Sequence, residues 1–224
     1  MVQCHTINLG ISTIYLLEGD KCILVDAGIP GQEKLLLRAL GHANIRPEMI
    51  ELLIITHGHF DHIGMANFIA ETTNAKIVIH QQDLEMLESG RSPILPGTTP
   101  WGKMMVAFMS RVMRRVSVQP AKADIILGDD GLGLYEFGIP GRVVYTPGHT
   151  LGSVSVLLDG GDAFVGDLAM SARYFRWNPG PSILAVDWDL VLQSCWKLLE
   201  AGARFIYPAH GKRFSADVLR TSLL

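Results

Sequence analysis

The sequence is short of cysteine, of excess charge of either sign and of long apolar runs, and each shortage excludes something. Its 224 residues include three cysteines, Cys4, Cys22 and Cys195, widely spaced and in no Cys-x-x-Cys pair. That rules out a disulfide scaffold and points to a reducing compartment, with the thiols read as core or incidental residues. The formal net charge is only −3, so the chain is no electrostatic trap for nucleic acid and no such partner is expected. No apolar stretch approaches the ~20 residues that span a bilayer, so stable membrane insertion is not expected. The opening Met-Val-Gln-Cys-His-Thr has neither the basic stretch nor the apolar segment of an export signal, and a cytoplasmic location is the expectation.

What is present suits a folded domain. Hydrophobic residues make up 48% and charged residues 18%, enough to bury a sizeable core and too apolar for general disorder. The length fits one domain over residues 1–224. Ser12 to Leu17 and Lys21 to Val25 flank Glu18-Gly19-Asp20 and predict a hairpin. Gln32 to Leu40 predicts a helix ended by Gly41, and Glu51 to Ile55 a buried strand. Ile63 to Glu71 reads as helix and Lys76 to His80 as strand. Further strands are expected at 124–127, 133–137, 142–145, 153–158, 163–165 and 204–207, with a helix over 187–201. Two sheets covered by helices would bury such strands, giving an α/β fold.

One segment departs from this rhythm. Residues 89–123 contain no acidic residue but six basic ones, Arg91, Lys103, Arg111, Arg114, Arg115 and Lys122. Met105, Met109, Val112 and Val116 fall on one helical face there. The segment predicts a basic amphipathic helical insertion, serving as a lid, a packing element or a homodimer contact.

The chemistry is concentrated in histidine. His57, His59, Asp61 and His62 form the string His-x-His-x-Asp-His just after the strand ending at Ile55. At a strand end, His57 and His59 can turn to one side and share a metal, while Asp61 and His62 start the next helix and can face a second ion. His149, Asp167 and His210 each follow a predicted strand, where rigid backbone meets loop. Imidazoles and carboxylates without thiolate suit zinc, with iron and manganese as alternatives. Asp26, beside Ala27-Gly28, is placed to hydrogen-bond a ligand histidine from behind. The isolated His5, His42 and His80 are expected to be structural.

With its later His149, Asp167 and His210 and its early Asp26-x-Gly28, this string resembles the metallo-β-lactamase fold superfamily, over nearly the whole chain from about Ser12 to Phe214. The resemblance implies an αββα sandwich with two divalent ions at one edge. It assigns the first ion to His57, His59 and His149, the second to Asp61, His62 and His210, and a bridging place to Asp167. Asp167 and the absence of an export signal favour the glyoxalase II-like and lactonase-like branches over true β-lactamases. Only 14 residues follow His210, so the glutathione-gripping helical domain of full-length glyoxalase II is not expected. Met170 stands where lactonases of this fold usually carry tyrosine.

The expected activity is hydrolysis of a small ester, lactone or thioester by a metal-bridging hydroxide, with Asp61 as proton shuttle. Met105, Met109, Arg173, Tyr174, Arg176 and Lys212 are candidate contacts to a small-molecule substrate. Two rival readings share the fold. One is a single-iron persulfide (sulfur) dioxygenase using His57, His149 and Asp167. The other is a non-catalytic sensor that binds metal and ligand without turnover.

Overall fold

The computed structural model describes residues 2–113, 116 and 118–224, and of 109 and 111–113 the backbone alone. A first sheet runs in chain order through β1 (Gln3–Asn8), β2 (Thr13–Glu18), β3 (Cys22–Val25), β4 (Ile50–Ile54), β5 (Lys76–His80) and β6 (Ile125–Leu127). Its first three strands are antiparallel and the rest parallel. The connections of the parallel part carry α1 (Glu33–His42), α2 (Phe60–Ile63), α3 (Ala66–Thr72), α4 (Leu84–Ser89) and α5 (Pro100–Met113). The second sheet contains β7 (Leu132–Gly133), β8 (Gly141–Tyr145), β9 (Val154–Leu158), β10 (Asp162–Gly166), β13 (Phe205–Pro208) and β14 (Phe214–Ser215). A short ribbon, β11 (Ala169–Met170) with β12 (Gly180–Pro181), lies between β10 and β13 in the chain. Helix α6 (Trp188–Glu200) precedes β13, and α7 (Ala216–Ser222) follows β14.

The strands are apolar on both faces because each sheet is covered twice. Along β4, Leu52 and Ile54 point into the space between the sheets, while Leu53 faces the helices. The inter-sheet core joins Leu17, Ile23 and Val78 to Val143, Val156 and Phe164. Outside the first sheet, Leu36 and Leu40 of α1, Ile69 of α3 and Leu87 of α4 form a second layer. Outside the second sheet, Val191, Cys195 and Leu198 of α6 pack with Leu219 of α7. The order is helix, sheet, sheet, helix, the αββα sandwich expected. None of the described helices is long and apolar enough to cross a membrane.

Several elements differ from expectation. Residues 133–137 form only the end of β7 and a 3₁₀ turn, Tyr135–Phe137, which closes at Gly138 with φ +71°. The helix expected over 63–71 is split into α2 and α3 around Gly64 and Met65. Strand β1 and helices α4 and α7 were not anticipated. The insertion is helical over Pro100–Met113; Arg114 and Arg115 lie outside the described residues, and Val116 outside the helix.

The sheets are stitched together at one edge. Thr13 N–H donates to Ala209 O (2.8 Å), Val154 N–H to Thr56 O (2.8 Å), and the Tyr15 hydroxyl to Pro208 O (2.7 Å). Strands β3, β4, β10 and β13 all end here, and so do the residues that follow them.

Candidate metal centre

The expected ligands gather at this edge, most in the loops after strands and Asp61 and His62 in α2. The β3/β4 register pairs Val25 with Ile54, so Asp26 stands beside the chain leading to Thr56 and His57. Gly166 ends β10 with φ +51°, and a Cβ there would lie 2.4 Å from Thr56 Oγ1, so only glycine lets the chain pass closely enough to deliver Asp167. Asp26 itself has φ +67°, a left-handed conformation that aspartate tolerates better than most residues.

Three ring nitrogens converge. His57 Nε2 lies 2.9 Å from His59 Nδ1, and His149 Nε2 lies 3.2 Å and 3.1 Å from those two atoms. Three nitrogens this close cannot all be satisfied by hydrogen bonds among themselves, so lone pairs face lone pairs. A second set adjoins it. His210 Nε2 is 3.2 Å from Asp61 Oδ2, and His62 Nε2 is 3.9 Å from Asp61 Oδ1. Asp167 spans both sets, with Oδ1 3.5 Å from His62 Nε2, and Oδ2 3.6 Å from His149 Nε2 and 3.3 Å from His210 Nε2. All seven residues are buried except His59, which is half-buried.

The far side of each ring fixes its direction. His149 Nδ1–H donates to Leu184 O (2.7 Å) and His210 Nδ1–H to Ile11 O (2.8 Å), leaving each Nε2 lone pair for the cluster. His62 Nδ1–H donates to Asp26 Oδ2 (2.8 Å). Thr56 donates its hydroxyl to Asp26 (2.9 Å), and the same oxygen accepts from His57 Nδ1 (3.2 Å). Asp26 thus orients two of the five histidines, one directly and one through Thr56. Asp83, fully buried, accepts from Gly58 N (2.9 Å), the Thr150 hydroxyl (2.7 Å) and Gly152 N (3.0 Å). It clamps the loop of His57 and His59 to the loop of His149.

Electrostatics divide the sets. Burial, reinforced by neighbouring imidazoles, holds His57 well below the ordinary histidine range, lowers His59 to about 3 and lowers His149. These rings are neutral and able to offer lone pairs. Burial acts the same way on His62, but the carboxylates of Asp26, Asp167 and Asp61 outweigh it and hold that ring up at about 10. His210 is raised well above its usual value, burial being overcome by Asp167 and Asp61. Against burial, His62 and His210 lower Asp61 to about 2, and His210 and His62 hold Asp167 well below the usual range.

The donor set fits divalent metal. Among the described residues, three groups bring ligand atoms within 4.8 Å of one another: His57, His59 and His149; His57, His62 and Asp167; and Asp61, His62 and His210. His62 Nε2 and Asp167 Oδ1, both buried and aimed into the cluster, lack hydrogen-bond partners. Polar atoms left without partners in a buried cluster are costly, and cations between them would offset that cost.

A cavity of about 100 Å³ opens directly onto the cluster, with Met105 in its wall. The side chain of Met109 lies outside the described residues. Arg173, Tyr174 and Lys212 line a different, open groove of about 540 Å³ on the far side of Ile11. Arg176 is turned to backbone, donating to Asn178 O (2.5 Å) and Pro181 O. The remaining histidines lie elsewhere: His80 stacks on Tyr145 with ring centroids 4.4 Å apart, His5 bonds Glu18 (2.7 Å), and His42 ends α1 exposed. Burial pushes the Cys195 thiol up to about 12, against any thiolate role. Sequence reasoning missed Asp83 and Thr56. Thr56 adjoins the histidine string and was within reach, whereas nothing around Asp83 sets it apart from an ordinary helix-start aspartate.

The family model described as the metallo-beta-lactamase superfamily matches residues 7–210. A probable metallo-hydrolase of Methanocaldococcus jannaschii is 28% identical over 206 residues, covering 90% of this chain and 88% of that protein. The crystal structure of BLEG-1 B3 metallo-beta-lactamase superposes with a TM-score of 0.73 at 22% identity, over 96% of this chain and 95% of that one. That of TTHA1623 in a di-iron-bound form gives 0.67 at 21% identity, over 98% of each chain.

Proposed function

This chain belongs to the metallo-β-lactamase superfamily, and on that premise we propose that it is a dinuclear metal-dependent hydrolase of small esters, lactones or thioesters. The observation that carries the reading is the cluster of seven mutually oriented His and Asp side chains, five of which (His59, Asp61, His149, Asp167 and His210) line an otherwise apolar cavity. No serine, threonine, cysteine, lysine or tyrosine lines that cavity among the described residues, so no hydroxyl, thiol or amine nucleophile is at hand.

His57, His59 and His149 would hold one ion, Asp61, His62 and His210 the other, and Asp167 both. Bound ions supply Lewis acidity and lower the pKa of water toward neutrality. The chain's own residues do the rest. Asp26, Thr56, Leu184 O and Ile11 O fix the ring orientations before substrate arrives. Asp61 is ionised and lines the cavity, placed to accept a proton and return it to the leaving group. The apolar walls exclude bulk water from the reacting carbonyl.

The named relatives agree with this reading, one as a probable metallo-hydrolase and another in a di-iron form. Zinc and iron both suit the donors. A one-iron dioxygenase using His57, His149 and Asp167 would leave His59, Asp61, His62 and His210 without a task.

The test is metal content and turnover in His59→Ala. Wild-type protein purified without added metal is expected to carry close to two ions per chain and to hydrolyse members of an ester, lactone and thioester panel. His59→Ala is expected to lose activity and metal together. Undiminished turnover in that variant would exclude the site.

A further inference from the structure

The cavity above the cluster is small and its walls are apolar. Its floor is the His and Asp set, and its walls come from segments far apart in the chain: Ile11 between β1 and β2, Leu95 and then Met105 and Val106 of the insertion, Phe175, and Leu184. Among the described residues no Lys, Arg, Asn or Gln lines it. Of the described cations around it, Arg176 bonds backbone, and Arg173 and Lys212 are exposed beyond Ile11.

The walls are tied down. Thr98 N–H donates to Ile183 O (2.8 Å), Ala185 N–H to Pro96 O (3.2 Å) and Trp101 Nε1–H to Tyr174 O (3.2 Å). These bonds hold the insertion against the loops carrying Leu184 and Phe175, and the Phe175 ring meets His210 edge to face at 4.8 Å. The volume is about 100 Å³. A dry cavity of about 150 Å³ admits benzene, so this one has room for about four carbon atoms.

We propose that the enzyme selects substrates by a short, uncharged, apolar acyl group of about four carbons, and rejects acyl groups that end in a carboxylate. The proposal rests on the hydrolytic reading of the same site. The physical reason is desolvation. An alkyl chain gains by leaving water, whereas a carboxylate at the far end of the acyl group would be buried against apolar walls that, among the described residues, offer it no cation. Hydrolysis then forms the acyl C–O bond from water and breaks the bond to the leaving alcohol or thiol. One water proton goes to that leaving group, and the other is released as the acid ionises.

The experiment uses the metal-loaded protein and two readouts. The first is kcat/KM for p-nitrophenyl butanoate, octanoate and hemisuccinate. Butanoate is expected to exceed octanoate by about 10-fold or more and hemisuccinate by about 100-fold or more. The second is calorimetric binding of the matching hydroxamates, which needs no turnover, with the same order expected in Kd. Met105→Ala is expected to narrow the butanoate–octanoate gap, and Met105→Lys the butanoate–hemisuccinate gap. Hydrolysis of all three esters at similar efficiency overturns the proposal and leaves the hydrolase standing. No turnover of these esters or of the ester, lactone and thioester panel, together with the expected hydroxamate order, overturns the hydrolase and leaves the pocket's preference standing. Equal hydroxamate affinities overturn the preference in either case.

Discussion

Removing the Asp83 carboxylate is expected to loosen the metal centre without touching a ligand. Asp83 accepts three hydrogen bonds, at 2.9 Å from Gly58 N, 3.0 Å from Gly152 N and 2.7 Å from the Thr150 hydroxyl, and is itself fully buried. Bonds to a charged acceptor contribute about 1.5–3 kcal/mol each, but the donors relax and recruit water when the acceptor leaves. A net loss of about 3–5 kcal/mol is therefore expected for Asp83→Ala. In a chain this long that lowers Tm by roughly 10–15 °C. Destabilisation alone does not establish a clamp, so Leu36→Ala serves as comparator. Leu36 is buried in α1, which bears none of the cluster residues, and its truncation costs about 2–5 kcal/mol. Because Gly58 sits between His57 and His59, and Thr150 follows His149, only Asp83→Ala should also weaken metal binding, by about 10-fold or more. Melting curves and competitive chelator titrations on both variants read the two effects. A Tm drop below 2 °C in Asp83→Ala, or equal metal affinity in the two variants, would refute the reasoning.

Two further outcomes are expected. Asp26→Asn keeps a side chain tolerant of φ +67° but removes the charge facing His62, and metal affinity should fall about 10-fold by chelator competition; an unchanged affinity would remove its orienting role. In chelator-treated protein, His62 is held up at about 10 by Asp26, Asp167 and Asp61 against burial. A raised pKa stabilises the fold fully below the unfolded value near 6.5, and that contribution is lost as pH rises toward 10. The Tm of metal-free protein should accordingly decline between pH 7 and about 10, and a flat or rising profile there would contradict the assignment.

Much of this architecture could be read from residues alone, for a definite reason. Runs such as Cys22–Val25 and residues 52–55 are covered on both sides, and burial on both faces writes itself as unbroken hydrophobicity. Strand β1 escaped notice because it pairs at a sheet edge and only Ile7 of its six residues is buried. Helix α7 is short, with just Ala216 and Leu219 buried, so its period barely rises above noise. The ligand histidines were legible because three crowd into six positions. Asp83 was not, since its partners Thr150 and Gly152 lie 67 and 69 residues away and only folding brings them together. The outward placement of Arg173, Tyr174 and Lys212 was equally hidden, because Ile11, from the other end of the chain, forms the partition between groove and cavity.

The bonds from Thr13 to Ala209, from Val154 to Thr56 and from Tyr15 to Pro208 make the cluster a seam between two halves that each contribute only part of it. Ions seated in such a seam draw ligands from both halves, so any parting of the layers loosens both at once. The speed at which a strong chelator strips them is thus a clock for breathing between the layers, readable in a molecule that stays folded throughout.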